Sequence, residues 1–171
     1  MSVESPRTAV RDLLVLVTDE IETHRLVEAA LGSRHVRVRR AVDESLTLAV
    51  TRSERPDLIV ARVDGGGMDG VAVAQRLKKD AATALIPLLA IVSQAGDLHE
   101  RAEDAGFDAV LLEPITATTL AQVAALLLER AALRRQQSAR MTGSSVTYRC
   151  NAGQEQRRDA RRAEPGQISQ P

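Results

Sequence analysis

Apolar positions along the chain alternate between short unbroken runs and longer stretches with helical spacing. Leu13 to Val17 is bounded by charged residues and reads as a strand covered on both faces. After it, Leu26, Val27, Ala30 and Leu31 share one helical face, which Gly32 is placed to end in a left-handed cap. Val36 and Val38 then alternate with Arg37 and Arg39, the pattern of a half-exposed strand at a sheet edge. Asp43 can cap a helix whose buried face would be Leu46, Ala49 and Val50. Leu58 to Ala61 is a second buried run, followed by Gly65 to Gly67 and by Asp69, which can cap a helix running to about Lys79. Pro87 opens a strand over 88–92, Asp97 can cap a short helix to Ala105, and Gly106 ends it. Ala109 to Leu112 makes the last strand. From Thr116 a long helix places Leu120, Val123, Ala124, Leu127 and Ala131 on one face and continues into Arg134 and Arg135.

Five strand–helix units in about 120 residues imply right-handed crossovers. The expected fold is a doubly wound α/β domain with a five-stranded parallel sheet, flavodoxin-like, in the order 2-1-3-4-5. The predicted division is an N-terminal extension over 1–11, the α/β domain over 12–135 and a basic tail over 136–171. That tail has too few apolar residues to offset its ordering entropy, so disorder is expected there.

Composition narrows the picture further. The chain has 171 residues, 44% apolar, yet its only aromatic side chains are Phe107 and Tyr148, so the core is built from Ala, Val, Leu and Ile and the composition argues against stacking platforms for single-stranded nucleic acid. Basic and acidic residues balance at 23 each, but unevenly: residues 1–133 carry 15 and 20, a net −5, and residues 134–171 carry 8 and 3, a net +5. Cys150 alone can form neither an internal disulfide nor a cysteine-based zinc site. His24, His35 and His99 do not cluster. No apolar signal core or membrane-length run occurs, and a cytoplasmic setting is the expectation.

In an open parallel sheet a ligand site forms at the carboxyl ends of the strands. Here those ends carry Asp19 and Glu20 after strand one, Arg62 at strand three and Glu113-Pro114 after strand five. The constellation resembles the response-regulator receiver domain over residues 12–133. The segments that carry the likeness are RPDLIVARVDGGGMDG (55–70), RLKKDAATALIP (76–87), and LLVLVTDE followed by Arg25.

The resemblance implies an acidic pair that holds Mg²⁺, a phosphate-accepting Asp ending strand three, a hydroxyl after strand four and a Lys before a Pro that is commonly cis. The pair is present as Asp19 and Glu20, whereas the acceptor position is Arg62 and the lysine position Glu113. A guanidinium offers no nucleophilic oxygen, so Arg62 cannot form an acyl phosphate. Because both charges are inverted, Arg62 is expected to reach among Asp19, Glu20 and Glu113 as an internal cation in place of metal and phosphate. Glu113-Pro114 inherits the expected cis bond. Asp64 is the one carboxylate available as a displaced acceptor, although its place in the Gly-rich loop suits a solvated turn residue. Counting from Pro87 puts Val92 at the hydroxyl position, and counting back from Glu113 puts Ser93 there. No Gly-Lys-Ser/Thr signature accompanies Gly65 to Gly67.

The expected function is a non-enzymatic, phosphorylation-independent interaction module of bacterial two-component signalling, with no cofactor beyond a doubtful Mg²⁺. Its partner would be a protein or a second copy, bound through the fourth helix, fifth strand and fifth helix, where Leu98, Ala102, Val110, Leu120 and Val123 lie. The alternatives are a conventional phosphorylated regulator with its acceptor displaced to Asp64, and weak nonspecific nucleic-acid binding by the arginine-rich tail. No membrane partner is expected.

Overall fold

The structure, a computed structural model, describes residues 13–18, 21–33, 35–64 and 68–143, the side chains of 140–143 excepted. The elements in chain order are β1 (Leu13–Thr18), α1 (Ile21–Leu31), β2 (Val36–Ala41), α2 (Glu44–Glu54), β3 (Leu58–Arg62), α3 (Gly70–Lys79), β4 (Leu88–Val92), α4 (Asp97–Asp104), β5 (Ala109–Leu112) and α5 (Ala117–Gly143). All five strands are parallel, in the order β2-β1-β3-β4-β5.

The two-residue period of a strand sends alternate side chains to opposite faces, which here produces two separate cores. Leu16, Ile59, Ala61, Leu88, Ala90 and Val92 pack with Val50 of α2, Val73 and Leu77 of α3 and Ala102 of α4. Their neighbours Val15, Val17, Leu58, Val60, Leu89 and Ile91 pack with Val27 of α1 and with Leu120, Ala124 and Leu127 of α5. Helices therefore cover both faces, the doubly wound arrangement expected from the apolar runs.

Several local expectations change. Gly32 does follow α1, but its φ is not positive; it is required because a Cβ there would lie 2.3 Å from the Glu28 carbonyl oxygen. In α2 the buried positions are Thr47, Val50 and Thr51, while Leu46 and Ala49 are exposed. The two threonines can be buried because each hydroxyl donates to the carbonyl four residues earlier, Thr47 to Asp43 at 2.8 Å and Thr51 to Thr47 at 2.7 Å. Asp43 does cap α2, accepting from the Leu46 N–H at 2.7 Å, and Asp69 caps α3 through the N–H groups of Val71 and Ala72. Asp97 is not a cap. The residue before α4 is Gly96, at φ 111°, which offers no side-chain oxygen.

Packing divides the chain into two units, Met1–Arg134 and Arg135–Pro171. The boundary expected at 135–136 falls inside α5, which runs on to Gly143. Residues 135–141 are mostly Arg, Gln, Ala and Met, which cost little in a helix, so helix continues past Ala131, the last buried position. The remainder of the predicted tail, with Tyr148 and Cys150, lies outside the described residues.

Candidate functional site

Strand parity aims the site. Leu58 and Val60 of β3 face the α1/α5 core, so Arg62, next in that series, leaves the strand on the same side. Ala109 and Leu111 direct Glu113 likewise at the end of β5, and Leu89 and Ile91 direct Ser93 at the end of β4. Because β4 separates β3 from β5, Arg62 and Glu113 must meet across two strand spacings, about 10 Å. A long side chain from each side closes that gap.

They meet as a bidentate pair. Arg62 Nη1 donates to Glu113 Oε1 at 3.0 Å and Nη2 to Oε2 at 2.8 Å. A third donor is taken by Asp64, whose Oδ1 accepts from Arg62 Nε at 3.1 Å. Asp64 Oδ2 accepts in turn from the Ser93 main-chain N–H at 2.6 Å. A continuous relay, Glu113–Arg62–Asp64–Ser93, thus links the carboxyl ends of β5, β3 and β4. Glu113 is further anchored by its own N–H, which donates to the Val92 carbonyl at 2.9 Å, and the Glu113-Pro114 bond is cis.

Exposure and charge agree with the geometry. The side chains of Arg62, Asp64 and Glu113 are 26%, 12% and 35% exposed, so the bonds are partly shielded from water. Partial burial by itself would raise the Asp64 pKa, but hydrogen bonds from the Ser93 side chain and main chain and the charge of Arg62 outweigh it and hold the carboxyl below the ordinary range. Asp64 is therefore an ionised member of the relay and not a solvated turn residue. A signal for this was present in the sequence: Arg and Asp two apart at a strand end project to the same side.

Both candidates for the hydroxyl position after β4 are described. Val92 is the fully buried end of the strand, and Ser93 is the exposed first residue beyond it, bonded to the site. Asp19, Glu20 and Gly65 to Gly67 lie outside the described residues.

No family model matches the chain. The response regulator PleD of Caulobacter vibrioides is 39% identical over 83 residues, covering 48% of this chain and 18% of PleD. The DNA-binding dual master transcriptional regulator RpaA of Synechocystis is 32% identical over 117 residues, 67% of this chain and 48% of RpaA. Among solved structures, the chemotaxis response regulator CheY4 of Vibrio cholerae superposes with a TM-score of 0.61 at 19% identity, covering 68% of this chain and 98% of CheY4. The α/β domain is a response-regulator receiver domain. The chain spans less than half the length of PleD or RpaA.

A receiver of this family is expected to bind Mg²⁺ through carboxylate oxygens. Asp19 and Glu20, the pair expected to hold that ion, lie outside the described residues, and the described carboxylates Asp64 and Glu113 do not fit it. Both oxygens of Asp64 and both of Glu113 are committed to Arg62 or to the Ser93 amide, and the Arg62 cation lies between the two carboxylates. Among the described residues no group of three or more potential metal ligands occurs.

The expected interaction face needs correction. Ala102 and Leu120 are fully buried, Ala102 in the α2/α3/α4 core and Leu120 in the α1/α5 core, and cannot meet a partner. Leu98, Val110 and Val123 are partly buried against those cores. The exposed apolar side chains on this side of the receiver are Leu112 of β5, 48% exposed, and Leu126 and Leu133 of α5, at 61% and 58%. Spaced seven apart, Leu126 and Leu133 lie off the buried stripe formed by Leu120, Ala124, Leu127 and Ala131. No described helix is long and apolar enough to cross a membrane.

Proposed function

We propose that this receiver works without phosphorylation, as a protein-interaction module of two-component signalling that binds but does not catalyse. The supporting observation is the bidentate Arg62–Glu113 pair. In the family resemblance these are the positions of an acceptor aspartate and its lysine. Here the inverted charges satisfy each other directly, and no carboxylate stands at the end of β3 to attack a phosphoryl donor. The proposed partner is a protein or a second copy, bound through α4, β5 and α5 where Leu112, Leu126 and Leu133 are exposed.

The displaced-acceptor alternative is disfavoured by Asp64 itself, because both of its oxygens are engaged and its side chain is only 12% exposed. The test is incubation of the full chain with acetyl phosphate and Mg²⁺, followed by intact mass measurement. An unchanged mass is expected. A single phosphoryl adduct mapped to Asp64 would overturn the reading.

A further inference from the structure

Arg62 Nε and the Ser93 main-chain N–H come from the ends of different strands and converge on one carboxylate, at 3.1 and 2.6 Å. Two donors, one of them charged, around a side chain 12% exposed constitute an oxyanion site, and the chain supplies the anion. We propose that Asp64 is a built-in carboxylate ligand of this receiver, filling an oxyanion site formed by Arg62 and the Ser93 amide and so fixing the loop that leads into α4. The inference deepens the phosphorylation-independent reading and rests on it.

Two features of the chain support this assignment. Asp64 is tethered two residues from Arg62, so its effective concentration at the site is far above that of a free anion, which excludes soluble competitors. The loop it holds also has little other anchorage. Residues 93–96 are exposed, Gly96 sits at φ 111° with open space around it, and α4 begins without a side-chain cap. The position of the start of α4 therefore depends on how Ser93 is held. The depressed Asp64 pKa is consistent with a carboxylate that stays charged in this role.

The site is tested by emptying it and refilling it from solution. In full-length Asp64→Ala, hydrogen exchange at the Ser93 amide, followed by NMR, should accelerate about tenfold or more as its charge-assisted bond is lost. Formate at sub-molar concentration should then slow exchange again, whereas chloride at matched ionic strength should not. Failure of formate to protect Ser93, or protection by orthophosphate alone, would overturn the carboxylate assignment. If Asp64→Ala does not fold, Arg62→Met provides the second reading. Removing the charged donor should speed Ser93 exchange although Arg62 does not touch Ser93, and unchanged exchange would overturn the relay. Mass measurement reads a covalent adduct and exchange reads the loop, so this inference and the reading beneath it can fail separately.

Discussion

At the scale of single residues, Arg62 decides the chemistry of the strand ends, because one planar guanidinium satisfies two carboxylates along three directions. The charge there is finely set, and Arg62→Asp would bring three carboxylates together with no cation between them. Like charges at such range raise one another's pKa and destabilise the fold, and a divalent ion with oxygen ligands relieves both effects. Arg62→Asp is therefore expected to melt lower than the parent, and millimolar MgCl₂ is expected to restore stability. A site whose Kd is one-tenth of the ion concentration is worth about 1.4 kcal/mol. Circular dichroism melts with and without Mg²⁺ check this, the parent chain showing no comparable shift. A variant that gained nothing from Mg²⁺ would show that the strand ends no longer form a metal pocket even with the charge restored.

At the scale of elements, a second relay fastens the opposite end of the sheet. Lys78 of α3 donates to Asp108, just before β5, at 2.9 Å and to the Ile86 carbonyl at 3.2 Å. Asp108 also accepts from the Leu88 N–H at the start of β4 at 3.0 Å and pairs with Arg134 of α5 at 3.4 Å. Burial alone would raise the Asp108 pKa, but the Lys78 bond, the Leu88 amide and the charges of Lys78 and Arg134 together lower it. A carboxyl depressed in the folded state contributes stability that is fully present above its unfolded pKa, about 3.9, and is lost as pH falls through the folded value. The stability gap between the parent and Lys78→Met should thus be full at neutral pH and shrink only below about pH 4. Urea titrations at a series of pH values measure it, and a gap that stayed constant into strong acid would refute the linkage. These side-chain ties were not legible in the sequence, since Lys78 and Asp108 lie far apart in a pattern of apolar runs. Unbroken apolar runs marked β1, β3, β4 and β5, and the alternation of Val36 and Val38 with arginine marked β2 as an edge strand. The phase of α2 was misread for a related reason: apolar spacing favours Leu46 and Ala49, and only the hydroxyl-to-carbonyl bonds of Thr47 and Thr51 make burial of the threonines inexpensive.

At the scale of the whole molecule, the strand-end site was partly legible. Inverted charges at positions 62 and 113 pointed to their pairing, whereas the role of Asp64 and its bond to Ser93 depend on loop geometry that a pattern of residue types does not specify. The two cores also bear on how much of the chain the receiver needs. Their last members are Leu127 and Leu128, Ala131 is the last buried position, Leu133 is exposed, and Arg134 closes the Asp108 relay. Residues 135–139 continue α5 with exposed side chains only. Stability of a domain follows the apolar area it buries and the buried polar groups it satisfies, and the first unit holds both within residues 13–134. Deleting 136–171 should therefore leave the melting temperature within about 2 °C of the full chain, well under the shift of about 4 °C or more that the loss of 1 kcal/mol produces in a domain of this size. The deletion also removes a segment rich in arginine, so retention on a DNA column, and its salt dependence, separates a binding role for that segment from the stability of the receiver. A large drop in melting temperature would instead show that residues beyond 135 belong to the folding unit, and the receiver boundary would have to move to include the rest of α5.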